Sequence, residues 1–529
     1  MKTVVYENAR VYTMDPQAPT AEAIAVRGER IVAVGEVAAC REAAGPDARH
    51  EDLGGAVVLP GLCDTHIHTA NYAWGLRQVD LRDAKSLAQC LELIRAKTKE
   101  STSDGWLLGG RWNFNRWDDP RQPTRHDLDS VCPDRPAALP SVDGHTTWIN
   151  SLALQRLGYT EDTPDPSGGQ IVRDAQGVPN GILRETAAHP LRALLETESA
   201  DNLPSQLKQA QAKLLAVGLT GIHDIDGEQC RRAFETLYGQ GDLALRVHKL
   251  IPLAALDEFI ERGRCTGDGD SWLSTGPVKI FSDGALGSHT CHVSQPFAGE
   301  PDNHGIAILS PGEVDGIVRR AALSGIAVAA HAIGDAANNM MLQALRRWKS
   351  TGLAPHLRHR IEHAQHQRPA DVVAFTELGV IASMQPVHCT SDIHLVETLL
   401  AGHDIASYPW KSLLDNGATL TFGSDAPVED PNPFHGIHAA VTRQRADGTP
   451  QGGFQPHERV SVAEAIRAYT VTAAYASYEE GRKGMLRPGL LADFIAVNTD
   501  PFEAEPDQIR ETEVALTVVG GVIRHALPR

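Results

Sequence analysis

Eight short apolar runs, each ending in a polar or charged residue, constrain the fold of this chain more than any other feature. They fall between about residues 59 and 480, and helical stretches such as SQLKQAQAKLLAVG and PGEVDGIVRRAALSG separate the later ones. The runs are VVLPGLCDTHIH, PAALPSVDGH, GLTGIHDID, GPVKIFSDG, GIAVAAHAIGD, RHRIEHAQ, GVIASMQPVH and ATLTFGSDAP. Buried strands that alternate with helices indicate a parallel sheet with helices outside it. Eight such strands predict an α/β fold with a (β/α)8 TIM-like barrel over 59–484.

The two ends of the chain differ in sequence pattern from the region between them. Residues 1–58 and 485–529 contain short β-rich runs with turn signals at Gly28-Glu29 and Gly520-Gly521. We therefore expect both ends to form one composite β-sandwich domain beside the barrel. The gaps after the first two runs are about twice as long as one β/α unit needs, which predicts an inserted lobe at about 105–185 in the early barrel loops.

Composition and charge narrow the class of protein. Hydrophobic residues make up 42% of the chain and charged residues 22%, and the net charge of -18 comes without any Lys/Arg run. Nucleic acid is therefore not an expected partner. No apolar stretch approaches the ~18 residues that would span a membrane, and the first residues do not resemble a secretory signal. Eight scattered cysteines without a CxxC pair favour reduced thiols in a cytoplasmic protein, and a homodimer is the default assembly.

The first candidates for chemistry are His66 and His68, at the end of the first run. Residues two apart on a strand point to the same face, so both imidazoles could bind one metal. With 23 histidines in 529 residues, about one His-x-His pair is expected by chance. The motif therefore carries weight only through its position.

The positions of the candidate residues along the predicted strands support a metal site. His66 and His68, His331, His363 and Asp425 all lie at or just beyond the carboxyl ends of predicted strands. Barrel enzymes build their active sites at this end. Histidine with carboxylate suits Zn, Mn, Fe, Co or Ni better than Ca or Mg.

Lys279 interrupts the apolar run Pro277-Val278-Lys279-Ile280-Phe281. A lysine inside a barrel strand is costly unless it is paired, coordinated or chemically changed. One interpretation is a lysine without a role in chemistry, whose amine forms a salt bridge or reaches solvent. Among these histidines we favour a carbamate, formed with carbon dioxide, that bridges two metals.

The motifs DTHIH, VKIFSDGALGS, HAIGD, IEHAQ and FGSDAP together resemble the amidohydrolase superfamily, in its YtcJ-like and N-substituted formamide deformylase-like branch. The resemblance covers nearly the whole chain, including GGRWNFNRWDDP, VDGHTTWINS and GILRET. It implies that His66, His68 and Asp425 hold the more buried of two divalent metals, preferably Zn, and that His331 and His363 hold the second. Carboxylated Lys279 would bridge them.

The expected chemistry is hydrolysis of the C–N bond of an amide-type small molecule, such as an N-substituted formamide or N-acyl compound. Two metals that share a water would lower its pKa and give a bridging hydroxide. Asp425 would accept the proton of that water and return it to the leaving amine.

Two weaker candidates lie near the predicted mouth. His145, after the second run, could donate to the carbonyl oxygen of the substrate or be purely structural. Gln385, after the seventh, could contact substrate or stabilise a loop. Asp283-Gly284, which follows Lys279, is interpreted first as a turn.

Three other functions remain as alternatives. A lactone, an ester or a cyclic imide presents the same carbonyl group to the same site. A nucleoside deaminase-type enzyme fits less well, because it uses one metal and a Glu near the fifth-strand His, where this chain has His331-Ala332-Ile333-Gly334-Asp335. A non-catalytic homologue would lack ligands, and all six positions carry the expected residue type.

Overall fold

The structure is a computed structural model that describes residues 3–76, 78–100, 105–114, 117–119, 121–141 and 146–528. The side chains of residues 100, 192, 193 and 195–201 are excepted. The chain divides into two compact units, one made of Met1–Thr69 with Leu207–Arg529 and the other of Ala70–Gln206.

Eight parallel strands form the central sheet of the first unit. In chain order they are Leu62–Ile67 (β1), Leu219–Asp224 (β2), Arg246–Pro252 (β3), Leu273–Phe281 (β4), Val328–Ala332 (β5), Arg360–His363 (β6), Ile381–Met384 (β7) and Thr419–Phe422 (β8). Each strand pairs with the next along the chain. The predicted α/β architecture is therefore confirmed as a nearly closed eight-stranded parallel barrel.

Just beyond their carboxyl ends, the first and last strands also meet. The backbone N–H of Asp425 donates to the His66 carbonyl at 2.7 Å, and that of His68 donates to Ala426 at 2.9 Å. Gly423 permits this approach, because a Cβ at that position would lie 2.5 Å from the His66 nitrogen. The edge that joins β1 to β8 therefore brings two predicted ligand segments together.

One of the eight predicted barrel strands was wrong, and one real strand was missed. The run PAALPSVDGH contributes Ala137–Pro140, which pairs with Leu107–Gly110 and Thr146–Ile149 in a separate sheet of the second unit. The missing strand is β3, whose polar residues break the apolar pattern that marks the others. Arg246 pairs there with Asp493, and Lys249 with Asp224. The predicted number of barrel strands was right because one false strand and one missed strand cancelled.

Helices cover the barrel and follow its strands. Those after β2 to β8 are Glu228–Gln240, Leu256–Glu261, Pro311–Leu323, Asp335–Ser350, Val372–Leu378, Pro386–Leu399, Trp410–Asp415, Pro433–Thr442, Val462–Tyr469, Val471–Ala476 and Pro506–Arg510. Short 3-10 turns lie at Thr186–Ala188, Leu253–Ala255, Pro369–Asp371 and Pro456–Glu458. A two-stranded ladder joins His366–Gln367 to Ala406–Ser407.

The helix after β4 shows why these segments fold locally. The Ser310 hydroxyl accepts a hydrogen bond from the Glu313 N–H, and the Glu313 carboxylate accepts one from the Ser310 backbone N–H, which forms a capping box. Pro311 occupies the first turn, where its missing N–H costs little. Val314, Val318 and Ala321 then recur at helical spacing and are buried.

Strands from both ends of the chain share a sheet. A four-stranded sheet, with the helix Val37–Ala44 beside it, consists of Thr3–Glu7, Ala23–Arg27, Arg30–Gly35 and Arg49–Asp52. A six-stranded sheet consists of Arg10–Tyr12, Thr20–Ala21, Val57–Pro60, Phe494–Val497, Val514–Val519 and Val522–Ala526. Phe494–Val497 pairs antiparallel with Val57–Pro60. One apolar cluster contains residues of both sheets, and in it the Tyr6 and Phe494 rings lie 4.9 Å apart.

The second unit has its own sheet and core. Its strands are Gln78–Asp80, Leu107–Gly110, Ala137–Pro140, Thr146–Ile149, Gly169–Arg173 and Pro179–Glu185. The helices Thr69–Leu76, Leu87–Glu100, Arg125–Asp129, Ser151–Leu157 and His189–Ala216 lie within it or at its ends. Trp112, Trp117 and Trp148 pack in its interior. This unit, Ala70–Gln206, includes more of the chain than the lobe expected at 105–185. No helix in the described ranges is long and apolar enough to cross a membrane.

Candidate metal centre

The carboxyl ends of β1, β4, β5 and β6 bring the predicted ligands to one place. The His66 and His363 rings lie 4.7 Å apart, and the His363 and His331 rings 4.4 Å apart. The Asp425 carboxylate reaches the Nε2 atoms of His66 and His68 at 3.6 and 3.5 Å. Lys279 lies near the carboxyl end of β4, and burial together with its positive charge lowers the pKa of both His66 and His331.

One cluster of ligand atoms contains members of both expected sites. Atoms of His66, His363 and Asp425 all lie within 4.8 Å of one another. The resemblance had implied that His363 belongs with His331 and that His68 completes the group of His66. In the structure, His363 therefore lies between the two expected halves.

Carboxylates orient both imidazoles of the His-x-His motif. The Nδ1 of His66 lies 2.6 Å from Glu362 Oε2, and the Nδ1 of His68 lies 2.8 Å from Asp226 Oδ1. Because an ionised carboxylate only accepts hydrogen bonds, each Nδ1 must donate. In the neutral ring, each Nε2 then keeps its lone pair on the side of Asp425, and this tautomer is the one that binds a metal.

His331 is oriented by the loop after β4. Its Nε2 donates to the Gly284 carbonyl at 3.0 Å and lies 3.5 Å from Asp283 Oδ1. Its Nδ1 therefore remains for a metal. Asp283 accepts backbone hydrogen bonds from His292, Ile333 and Gly334, and burial raises its pKa to about 7. Asp283 thus anchors two loops through backbone hydrogen bonds, whereas the turn expected at Asp283-Gly284 lies a few residues later, at 286–289.

Lys279 is 3% exposed, and its Nζ has no hydrogen-bond partner among the described residues. Burial lowers its pKa to about 8, against the opposing pull of Glu362 and Asp425. Burial therefore makes the neutral, nucleophilic form of the amine more populated near physiological pH than in an ordinary lysine, while the protonated form still predominates.

Three of the predicted ligand histidines, His66, His331 and His363, are held in their neutral form. Burial and the nearby Lys279 charge lower the pKa of His66 to about 4 and that of His331 to about 3. The pKa of His363 also falls well below its usual value, and its Nδ1 has no hydrogen-bond partner in the part of the chain that the structure describes. Unpaired polar atoms are costly in a protein interior. The free atoms of Lys279 and His363, together with neutral imidazoles, fit a site built for metal.

Asp425 is ionised and held from both sides. Burial would raise its pKa, but a hydrogen bond from His388 and the nearby histidines lower it overall. His388 Nε2 lies 3.1 Å from Asp425 Oδ2. The carboxylate is therefore in the form that binds metal or accepts a proton.

A second group of ligand-type atoms belongs to Asp224, Asp226 and Cys230. Lys249 Nζ lies 3.0 Å from Asp224 Oδ1, and burial raises the pKa of the Cys230 thiol well above its usual value. This group therefore already contains its own cation and is a buried ion pair.

Sequence reasoning missed Glu362, Asp226 and His388. Each lies within a quoted run, one residue before His363, two after β2 and three after Gln385, but no local pattern marked its partner. Gln385 is buried, and its Nε2 donates to the Ser383 carbonyl at 3.2 Å. His145 lies outside the described residues, and the strand before it is not a barrel strand.

Comparison with known proteins gives consistent matches. A model of the amidohydrolase family matches residues 49–525. The protein LONG AFTER FAR-RED 3 of Arabidopsis thaliana is 32% identical, over 97% of this chain and 90% of its own. Putative amidohydrolase YtcJ of Bacillus subtilis is 30% identical, over 98% of both chains. N-substituted formamide deformylase of Arthrobacter pascens is 30% identical, over 99% of this chain and 98% of its own.

Similarity also extends to solved structures. The crystal structure of an uncharacterized metal-dependent hydrolase from Pyrococcus furiosus is 27% identical, with a TM-score of 0.75. The match covers 95% of this chain and 100% of that one.

Proposed function

This chain belongs to the amidohydrolase family, and on that premise we propose that it hydrolyses the C–N bond of an amide-type small molecule such as an N-substituted formamide. That the protein is a hydrolase follows from its family. The bond is inferred from the similarity to a formamide deformylase. One observation carries the proposal for the site: Asp425 lies within 3.6 Å of two Nε2 atoms that carboxylates orient toward it.

We propose that two divalent ions, preferably Zn, are held by His66, His68, Lys279, His331, His363 and Asp425. Imidazole and carboxylate donors also suit Mn, Fe, Co or Ni. When bound, the ions would polarise a carbonyl group and make water more acidic.

Lys279 would act after carboxylation. The ammonium group first loses one proton, and the neutral amine then forms an N–C bond to carbon dioxide and releases a second proton to water, which converts a cation into an anionic carbamate. The unpaired Nζ and the lowered pKa both support this step.

Asp425 would transfer the proton. Its carboxylate accepts a proton from the attacking water and returns it to the leaving nitrogen, so that the amine departs neutral. The low pKa of Asp425 keeps the base form available. Glu362 and Asp226 would hold His66 and His68 in the tautomer that binds metal.

We also propose that residues 1–58 and 485–529 form a composite β-sandwich domain beside a barrel over 59–484. The pairing of Phe494–Val497 with Val57–Pro60 supports this division. The lobe inserted in the early barrel loops would correspond to the compact unit Ala70–Gln206.

A substrate panel tests the function. Protein loaded with Zn or Mn is assayed against N-formyl, N-acetyl and N-acylamino acid compounds and against lactones. We expect turnover of an amide and its loss in Asp425→Asn. Asp430→Asn, an exposed carboxylate in the same loop, is the matched control and should keep the parent rate. Turnover of lactones alone, or a fully active Asp425→Asn, would overturn the proposal.

A further inference from the structure

The two oxygens of the Asp425 carboxylate face different partners. Oδ1 lies 3.6 Å from His66 Nε2 and 3.5 Å from His68 Nε2. Oδ2 lies 3.1 Å from His388 Nε2, on the helix Pro386–Leu399 after β7. One oxygen therefore faces the ligand histidines, and the other is bound by a residue outside the ligand set.

His388 is itself held by the loop that carries Asp425. Its Nδ1 lies 3.4 Å from Glu429 Oε1, and the Ser391 hydroxyl donates to the same oxygen at 2.7 Å. Ser391, Glu429, His388 and Asp425 thus form a continuous chain of polar contacts. This chain connects the helix after β7 with the loop after β8.

The contacts of His388 argue against a role as a metal ligand. Its Nε2 lies 3.1 Å from Asp425 Oδ2, within hydrogen-bond distance, whereas the Nε2 atoms of His66 and His68 lie 3.6 and 3.5 Å from Oδ1. The Nε2 of His388 is therefore already engaged by Asp425, and its Nδ1 faces Glu429. The His388 and His363 rings are 6.0 Å apart, with an angle of 28° between their planes. His388 therefore lies beside the ligand cluster with its polar atoms directed to Asp425 and Glu429.

A carboxylate turns easily about its last torsion, since such sp³–sp² torsions are broad. A donor on Oδ2 restricts that rotation and keeps Oδ1 directed at His66 and His68. We propose that His388 is the positioning residue for Asp425 and that Glu429 fixes the ring of His388. This inference rests on the proposed function, in which Asp425 accepts and returns a proton.

Substitution of His388 tests the proposal. His388→Leu should lower kcat roughly 10- to 100-fold, as expected for loss of one hydrogen bond to a charged group, with KM and metal content unchanged. His388→Gln should recover part of kcat, because its amide N–H reaches about as far as Nε2. His394→Leu, an exposed histidine on the same helix, is the matched control and should behave as the parent. Metal content is measured by atomic absorption and folding by thermal melting.

Glu429 provides a second test that does not alter the buried ring. Glu429→Leu should lower kcat with metal retained, and Glu429→Gln should lower it less, since the amide oxygen can still accept from Nδ1. The two Glu429 variants decide whether His388 positions Asp425 if His388→Leu fails to fold or loses metal.

The outcomes separate this inference from the proposed function. A metal-loaded His388→Leu protein with the parent kcat, or one with raised KM alone, refutes the positioning role. Equal rates for Glu429→Leu and the parent refute the role of Glu429. An active Asp425→Asn protein refutes the proposed function itself, whatever His388 does.

Discussion

Glu362→Gln tests how the structure sets the tautomer of His66. Glu362 is fully buried and accepts hydrogen bonds from His66 Nδ1 at 2.6 Å and from Arg360 Nε. A glutamine has one acceptor oxygen for these two donors. If that oxygen stays with Arg360, the amide N–H₂ faces His66 and forces Nδ1 to become the acceptor. The proton then moves to Nε2, the atom that a metal needs.

Two effects set the magnitude. Loss of a residue that orients a ligand histidine lowers metal affinity roughly 10- to 100-fold, or about 1.4–2.7 kcal/mol. Removal of the Glu362 charge also leaves the Arg360 guanidinium buried without a carboxylate, and such a change costs about 3–5 kcal/mol of stability. Arg360 keeps its contacts with His223 and the Thr65 carbonyl, so we expect the lower end of that range.

Metal affinity is measured by competition with a chelator, and stability by thermal melting of the metal-free protein. Glu377→Gln is the matched control, because Glu377 pairs with Arg346 at the surface, where such a pair contributes about 0–1 kcal/mol. Zn binding by Glu362→Gln as tight as that of the parent would refute the tautomer argument. An unchanged melting temperature would refute the reasoning about charge.

Three further predictions concern Lys279 and barrel closure. Lys279→Ala should lower the metal content from two ions per chain to one and remove any effect of bicarbonate on metal loading, as measured by atomic absorption. Because the pKa of Lys279 falls from 10.5 to about 8 on folding, the unfolded chain binds the extra proton between these values. The metal-free protein should therefore gain stability as pH rises from about 8 to 10.5, relative to Lys279→Ala, in melts over that range. Gly423→Ala should cost about 1–3 kcal/mol, since its Cβ would meet the His66 nitrogen; Gly312→Ala, which has open space, is the control, and equal melting of the two would contradict this account.

Much of the candidate site could be predicted because the relevant pattern is local. Each barrel strand is a short run with a polar residue at its end, and parallel strands bring those ends to one mouth. That reasoning places His66, His331 and His363 together without any knowledge of their contacts. It failed for Arg246–Pro252, whose charged residues find partners far away in sequence, and for Ala137–Pro140, an apolar run that belongs to another sheet.

The sequence by itself determined the alternation of strands and helices, the β-rich character of both ends and the six residues of the candidate metal centre. Only the tertiary structure decided which groups orient four of them, His66, His68, His331 and Asp425. Glu362 orients His66 across 296 residues, and His388 reaches Asp425 across 37. Contacts of this kind depend on distance and direction in three dimensions, and neither the composition nor the period of a short segment records them. The candidate ligands could therefore be proposed from the sequence, whereas the carboxylates and the histidine that contact them could not.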